Sequence, residues 1–302
     1  MSDQAEPPMP HTSIPLSRLK IGFIGAGRLG RALAWSLDTA GCRVHAVASR
    51  GAARAAELAA PIAHCAQYPA QQLADECDLV FITTPDATIQ AVADGIRWRA
   101  GQGVVHCSGA TEVAVLAKAA ADGAMTGGFH PMQTFADPAA AARSLPGSTI
   151  TIEAQGELNG MLLALVERLG CAANQLPAGA RARYHAAAGY ASQYINVVLG
   201  EAVRIWQSWG ATEAQALPAL LPMVRGTLAS IEAAGVAKGM PGPVSRGDAG
   251  TVEKHLAALG ELDEDTLRLY RDLCLRSVSL AFAAGGIDAD KAARIEGILR
   301  AV

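Results

Sequence analysis

The glycine-rich segment at residues 20–41 (KIGFIGAGRLGRALAWSLDTAG) has residue types and spacing that suit phosphate binding. Gly25, Gly27 and Gly30 follow GxGxxG spacing, directly after an apolar strand and at the opening of a predicted helix. The first glycine permits a tight turn, the second admits a pyrophosphate, and the third allows close helix–strand packing, while free N–H groups at the helix start face the phosphates. We therefore predict a dinucleotide site, with a purely structural turn as the alternative. The predicted cofactor-binding residues of this loop are Gly25, Ala26, Gly27, Arg28, Leu29 and Gly30.

The residues after the second predicted strand indicate which dinucleotide binds. An acidic residue there would hydrogen-bond the ribose 2′-hydroxyl of NAD. This chain instead has Ser49 and Arg50, and Arg54 follows one helical turn later. A hydroxyl and a guanidinium bind a 2′-phosphate through charge-assisted hydrogen bonds, so the sequence favours NADP(H) over NAD(H). The alternative is that both arginines only keep an exposed loop and helix start soluble.

Two further strands end in polar residues at the same predicted sheet edge. The segment FITTPDATIQ is expected to place Thr83, Thr84 and Pro85 in the cofactor cleft, because ligands of open α/β sheets bind beyond the carboxyl ends of the strands. Asp86 either caps the next helix or contacts the cleft. After the strand GVVHC, Ser108 and Gly109 are candidates for binding a substrate carbonyl or carboxylate, and Ser108 is also a candidate catalytic residue. Capping of the helix predicted near residue 111 is the other role open to the serine.

The remaining candidates are a histidine and a charged pair. His130 precedes Pro131, which favours an extended conformation at a strand end and brings the ring near the cleft. We predict His130 as a candidate catalytic residue in contact with the substrate or the nicotinamide; the alternative is a structural hydrogen bond. Arg246 and Asp248 lie in a Gly/Pro-rich loop at residues 238–250, before a helix predicted to begin near Thr251. The arginine is a candidate clamp for an anionic substrate, and the aspartate either orients it or caps the helix. A purely structural loop is the alternative.

The apolar pattern predicts an α/β fold. Up to about residue 154, short apolar runs alternate with helical stretches, which is typical of a doubly wound parallel sheet. After residue 177 every apolar stretch has helical length and spacing. We predict a disordered tail at residues 1–18, a Rossmann domain at 19–178 and an all-helical domain at 179–302. A helix over 181–209, roughly 43 Å long by its rise per residue, is expected to pack against a partner subunit.

Composition excludes several classes of function. The 302 residues are 51% apolar and carry 25 basic against 28 acidic side chains, so no basic surface for nucleic acid is expected. Glycine, proline or charge interrupts each apolar run before the roughly 20 residues that span a bilayer, and no signal-peptide pattern is present, so we expect a cytoplasmic protein. The six cysteines and seven histidines show no metal-ligand spacing. The expected partner is a small-molecule substrate.

Four further motifs carry a family resemblance: HCSGAT (106–111), GFHPMQTF (128–135), YHAAAGYASQYI (184–195) and GPVSRGDAGTVEKHL (242–256). With the glycine loop, they resemble bacterial two-domain Rossmann-like proteins whose helical half is the domain of unknown function 2520, over about residues 20–302. The chain is more distantly similar to pyrroline-5-carboxylate reductase, the 3-hydroxyacid dehydrogenases and ketopantoate reductase. These enzymes pair an N-terminal NAD(P) domain with a helical domain used in dimerisation. The resemblance implies an oxidoreductase that forms a homodimer through its C-terminal helices.

The resemblance also singles out His185. The 3-hydroxyacid dehydrogenases have a catalytic lysine near the start of the long helix, whereas RARYHAAAGYASQYINVVLGEA contains no lysine and places His185 close to that position. A histidine can donate or accept the proton that accompanies hydride transfer. The alternative is a helix-face histidine that bonds a carbonyl or water.

The expected activity is NADP(H)-dependent hydride transfer to or from a small carbonyl, imine or hydroxy-acid substrate, at a site between the domains. The alternatives are an NADP-binding sensor or regulatory protein without turnover, an interaction protein with a vestigial cleft, and a ketopantoate-type reductase.

Overall fold

A computed structural model describes Leu16 and residues 18–301. The predicted tail at residues 1–18 lies outside the described residues, apart from Leu16 and Arg18. The chain divides into two compact units between Ser192 and Gln193. This division falls after the predicted domain limit at residue 178, because the helix that begins at Arg181 is anchored to the sheet of the first unit.

The first unit contains an eight-stranded sheet in the order β3-β2-β1-β4-β5-β6-β7-β8. All neighbouring strands are parallel except β6 and β7, which are antiparallel. The sequence predicts strands in KIGFIG, RVHAVAS, DLVFITT, GVVHCSG, MTGGFHP and STITIEA, and each of these segments contains one. The predicted extended segment ANQLP overlaps β8, and the short β3 was not predicted. The strands are β1 Ile21–Ile24, β2 Val44–Ala48, β3 Ala66–Gln67, β4 Leu79–Ile82, β5 Gly103–His106, β6 Met125–Pro131, β7 Thr149–Glu153 and β8 Ala172–Gln175.

Helices cover both faces of this sheet, which confirms the predicted α/β class. Because successive strand residues point to opposite faces, Phe81 belongs to one buried cluster and Ile82 to another. The central strands β1 and β4 are buried at every residue, so they are apolar throughout. The helices of this unit are α1 Arg28–Thr39, α2 Ala52–Ala59, α3 Ala70–Glu76, α4 Ile89–Asp94, α5 Ala117–Ala121, α6 Pro138–Ser144, α7 Gly156–Arg168 and α8 Arg181–Tyr190. Single 3-10 turns at Asp86–Thr88 and Val113–Leu116 precede α4 and α5.

The second unit is all-helical over its described residues, as predicted. Its core includes Val252, Val278 and Ile295. The helices are α9 Gln193–Gln207, α10 Glu213–Lys238, α11 Ala249–Gly260, α12 Glu264–Ala283 and α13 Ala289–Ala301. Within the part of the chain that the structure describes, no helix has the length and apolar character required to cross a membrane.

The prediction of one continuous helix over residues 181–209 is wrong. Helix α8 ends at Tyr190, and α9 begins only at Gln193. The Ser192 N–H bonds the Gly189 carbonyl at 3.3 Å, and its hydroxyl donates to the Ala188 carbonyl at 2.7 Å. Such short-range bonding tightens and bends a helix, and here it accompanies the break.

Candidate functional site

The three glycines of the first loop meet different surroundings. A Cβ on Gly25, whose φ is +112°, would lie 2.7 Å from the Thr83 carbonyl carbon. A Cβ on Gly30 would lie 2.6 Å from the Thr83 Oγ1. At Gly27 the nearest described atom is the Thr83 carbonyl oxygen, 3.8 Å away. The chain's own packing therefore requires the first and third glycines, whereas the second leaves an open surface.

This open surface lies at the N-terminus of α1, where backbone donors are free. Gly27 is the N-cap residue, and no side chain caps the helix. The first amides of a helix have no intrahelical acceptor, so they can donate to an anion. The Thr84 hydroxyl, at the adjacent end of β4, is buried and has no hydrogen-bond partner among the described residues. An orphaned buried hydroxyl beside free amides fits a bound pyrophosphate and its ribose.

Exposed arginines flank the carboxyl end of β2. Arg50 follows this strand and Arg54 lies in the first turn of α2; within the described residues, neither side chain makes a hydrogen bond or ion pair. Ser49 accepts a hydrogen bond from the Gly51 N–H at 3.3 Å. By contrast, Arg31 on α1 is paired with Glu57 on α2. Two unpaired guanidinium groups therefore remain available to a phosphate.

Ser108 organises the turn after β5. It is only 6% exposed, and its hydroxyl donates to Asp86 Oδ2 at 2.7 Å. It also accepts from the backbone N–H groups of Ala110 and Thr111, at 3.2 and 3.0 Å. The first helical turn begins only at Val113. Ser108 therefore builds the turn ahead of the helix, and Asp86 contacts this serine without capping a helix.

His130, Tyr184 and His185 form a cluster beside Gly109. The His130 Nδ1 lies 2.7 Å from the Tyr184 hydroxyl oxygen, and the two histidine ring centres are 6.2 Å apart. A Cβ on Gly109 would lie 2.9 Å from the His130 Nε2 and 2.5 Å from the His185 Cδ2, so this position also needs glycine. The structure thus brings together Ser108, Gly109, His130 and His185, all of which were predicted site residues. Tyr184 was missed as a site residue, although it directly precedes His185.

The electrostatic surroundings keep His130 and Tyr184 neutral near pH 7. Burial lowers the pKa of His130 to about 4, helped by the nearby His185 and Arg181 and opposed by Asp86. Burial, again with Arg181, lowers the pKa of the neighbouring His106 to about 3. Burial raises the pKa of Tyr184, while the Thr151 hydroxyl and Arg181 oppose the rise. The hydrogen bond between residues 130 and 184 therefore joins a neutral imidazole to a neutral phenol.

A buried arginine lies behind the cluster. The Arg181 side chain is fully buried, and its Nε donates to Glu153 Oε2 at 2.5 Å. Its Nη1 donates to the Ser108 carbonyl at 2.7 Å. The Nη2 lies over Gly128, where a Cβ would overlap it. Sequence analysis missed Arg181 and Glu153; the one available signal was a lone carboxylate at the end of the apolar strand segment STITIEA.

Arg246 and Asp248 lie in the second unit. Asp248 caps α11 by accepting from the Thr251 N–H at 3.1 Å, so α11 begins at Ala249, two positions before the expected start. The Arg246 side chain is 63% exposed, and its Nη2 is 3.6 Å from Asp248 Oδ2. Asp248 thus caps the helix, and its carboxylate also faces the arginine. No group of His, Cys, Asp or Glu side chains within the described residues could hold a metal ion.

Two family models match the chain. A Rossmann-like domain matches residues 5–131, and the domain of unknown function DUF2520 matches residues 148–277. A comparison with curated proteins found no match.

Solved structures share the fold. A protein from Bacteroides fragilis, provisionally named an NADP oxidoreductase, is 23% identical and has a TM-score of 0.67, covering 88% of this chain and 100% of its own. A reductive aminase from Aspergillus terreus, in complex with NADPH4, cyclohexanone and allyl amine, is 18% identical with a TM-score of 0.57, covering 94% and 93%. Pyrroline carboxylate reductase from Plasmodium falciparum with NADP bound is 11% identical with a TM-score of 0.58, covering 88% and 100%. At these identities the likeness establishes the fold.

Proposed function

Because this chain is a two-domain protein that joins a Rossmann-like domain to DUF2520, we propose that it is an NADP(H)-dependent oxidoreductase. Its substrate is a small carbonyl, imine or hydroxy acid. Structural neighbours support the cofactor, since they include an NADP-bound reductase and an NADPH4-bound aminase. The observation that carries the proposal is the glycine loop, where packing against Thr83 requires Gly25 and Gly30 but leaves the surface at Gly27 open.

The loop residues and the arginines would bind different parts of the dinucleotide. The amides of Arg28, Leu29 and Gly30 at the start of α1 would donate to the pyrophosphate. Beyond β2, Ser49 and the unpaired guanidinium groups of residues 50 and 54 would bind the 2′-phosphate through charge-assisted hydrogen bonds. Residues 83–85, at the end of β4, would line the cofactor cleft. A carboxylate in place of Arg50 would repel the 2′-phosphate, so this arrangement favours NADP(H) over NAD(H).

NADP(H) would supply or accept the hydride. The side chains near Gly109 would donate or accept the proton that accompanies it. A neutral His130 carries one ring hydrogen, and when that hydrogen is on Nδ1 it donates to the Tyr184 oxygen. The phenol hydrogen is then free to donate to a substrate oxygen or nitrogen. His185 is exposed beside this pair, so solvent reaches its imidazole. Protons would thus pass between His185, His130 and Tyr184 in the course of turnover.

Two further groups of residues, one in each unit, are separate candidates for binding a substrate group. The Ser108–Gly109 turn holds its backbone close to His130 and is proposed to bind the carbonyl or imine end of the substrate. Arg246 has an exposed guanidinium beside Asp248, so it can bind an anionic group in a bidentate manner.

Calorimetry combined with a turnover screen tests this proposal. We expect NADPH to bind more tightly than NADH, and the NADPH-loaded protein to reduce at least one member of a panel of small ketones, keto acids and cyclic imines. Substitution of His130 by Gln should abolish most of this turnover while leaving the NADPH dissociation constant unchanged. A well-folded protein that gives no binding heat with either dinucleotide would refute the assignment.

One observation favours a second candidate, an NADP-binding sensor without turnover. Helices α8 and α9 contain no lysine, although the 3-hydroxyacid dehydrogenases that the chain resembles have a catalytic lysine in this region. Tight NADPH binding without turnover on the whole panel would support the sensor.

We also propose that the protein is a homodimer. In the 26-residue helix α10 only Ala216 is buried, while Met223, Leu228 and Val236 are 71%, 47% and 61% exposed. Val197 and Val198 on α9 are also about half exposed. Water disfavours so much apolar helix surface, and a second copy of the chain would cover it.

A further inference from the structure

The buried Arg181 and the cluster of His130 and Tyr184 lie on the same pair of strands. In the antiparallel pairing of β6 with β7, Gly128 is opposite Glu153 and His130 is opposite Thr151. Positions two apart on a strand share a face, so both pairs present their side chains to the same side of the sheet. Helix α8 contacts each pair in turn: Arg181 bonds to Glu153 over Gly128, and Tyr184 bonds to His130.

The spacing on α8 couples these two contacts. Tyr184 and His185 are three and four positions after Arg181, and residues so spaced lie on one face of a helix. The buried guanidinium therefore anchors the start of the helix face that carries the phenol and the imidazole. The same guanidinium also bonds to the Ser108 carbonyl at 2.7 Å, so it fixes the turn that contains Gly109.

We propose that Arg181 is a positioning residue: its buried bond to Glu153 over Gly128 sets the register in which Tyr184 and His185 meet His130. The inference rests on the proposed function, because its purpose is to align the proton-transfer side chains. An arginine suits this task better than a lysine, because its planar fork reaches a carboxylate and a carbonyl at once. A buried charge is also costly when it loses its partner, so the pairing tolerates little displacement.

Gly128 provides the sharpest test. Its φ is not in the left-handed region, so the obstacle to a side chain here is the packing around it, in which a Cβ would overlap the Arg181 guanidinium. We therefore expect Gly128→Ala to displace Arg181 and to lower kcat about 100-fold, the loss typical of an ångström-scale misplacement. The KM and dissociation constant for NADPH should stay within about twofold of wild type. The matched control is Gly160→Ala on α7, where no described atom lies within 4 Å, and its kcat should not change.

A double-mutant cycle assigns the effect to the guanidinium. In an Arg181→Met, Glu153→Gln background the clash is absent, so adding Gly128→Ala should lower kcat no further. Arg183→Met, at an exposed position on the same helix, controls for loss of a positive charge. If Gly128→Ala lowers kcat equally in the wild-type protein and in the Arg181→Met, Glu153→Gln background, the proposal is overturned.

A second readout needs neither cofactor nor substrate. In NMR titrations of the free protein, we expect the His130 pKa to rise from about 4 toward its ordinary value in Gly128→Ala. The groups that face this ring are Arg181, Tyr184 and His185 on α8, Asp86 on the turn before α4, and His106 on β5. An unchanged titration in folded Gly128→Ala protein would refute the positioning role. If Gly128→Ala does not fold, the Arg181→Met, Glu153→Gln variant replaces it: kcat should again fall, and the His130 pKa should rise because the guanidinium that lowers it is gone.

The two readouts separate this inference from the proposed function. If the wild-type protein binds no NADPH and turns over no substrate, the oxidoreductase assignment fails, while the His130 titration still decides whether Arg181 sets the cluster.

Discussion

The open surface at Gly27 makes a prediction that separates cofactor binding from folding. In Gly27→Ala the new methyl group meets no described atom closer than 3.8 Å, so the free protein should accommodate it. The backbone there has a φ of −69°, which alanine adopts without strain. The remaining cost is that of alanine at an N-cap, about 1 kcal/mol or less. Gly51→Ala is the matched control, because Gly51 also caps a helix without a side-chain bond and has no described atom near its Cβ position.

The effect should appear only when the cofactor is present. At an NADPH concentration 100 times its dissociation constant, wild-type protein should gain about 2.7 kcal/mol of stability. If the methyl group weakens binding about 100-fold, the gain at the same concentration falls to about 0.4 kcal/mol. Gly30→Ala should behave in the opposite way, because its Cβ would lie 2.6 Å from the Thr83 Oγ1. It should lose about 1–3 kcal/mol of stability even without cofactor, as overpacked cores do.

Chemical denaturation with and without NADPH measures all four proteins on one scale. The expected order is a full cofactor gain in wild type and Gly51→Ala, and almost none in Gly27→Ala. An undiminished gain in Gly27→Ala would show that no phosphate approaches this backbone, and the loop would then be a structural turn. A large stability loss in cofactor-free Gly27→Ala, absent from Gly51→Ala, would contradict the open geometry itself.

Three further predictions concern charge, pH and assembly. Arg50→Glu should raise the NADPH dissociation constant about 10- to 100-fold, because it removes a charge-assisted hydrogen bond to the 2′-phosphate. The NADH dissociation constant should not change. Arg43→Glu, at the opposite end of β2, is the control in the same calorimetry. His130 has a folded pKa of about 4, below the unfolded value near 6.5, so the unfolded chain binds the extra proton between these limits. The unfolding free energy should therefore fall as the pH drops from 6.5 to 4, and His130→Gln should flatten this slope by up to about 1.4 kcal/mol per pH unit in urea titrations. Val198→Lys should convert a dimer to monomers in sedimentation runs, whereas Met132→Lys, equally apolar and 39% exposed in the first unit, should not.

The apolar pattern was sufficient to predict most of the first unit, because its central strands β1, β4 and β5 are buried on both faces. Strand β3 was missed since Ala66–Gln67 is only two residues long and not fully buried. Helices α3 and α6 were not predicted. For α6 a signal was present, because Asp137 followed by Pro138 is a common helix start, and Asp137 does cap it. The amino-acid composition does not indicate that β7 runs antiparallel to β6. The break at residues 191–192 was also invisible, because alanine and serine are both compatible with a helix interior.

The candidate site was predictable where it depends on strand ends. Ser108, Gly109 and His130 each follow or end a parallel strand, so their proximity follows from the sheet. Tyr184, Arg181 and Glu153 escaped notice for a different reason. Their contacts arise from the docking of α8 on β6 and β7, and only the assembled structure shows that an arginine at a helix start is fully buried.

The hydrogen bond from the Thr83 hydroxyl to the Gly25 carbonyl, at 2.7 Å, ties the glycine loop to β4 before any ligand arrives. A loop held in this way has few conformations left to lose on association, so most of the entropy lost would belong to the dinucleotide itself. Capture should then proceed in a single bimolecular step, without a slow rearrangement of the receptor. Stopped-flow traces would in that case show one phase whose rate rises linearly with dinucleotide concentration.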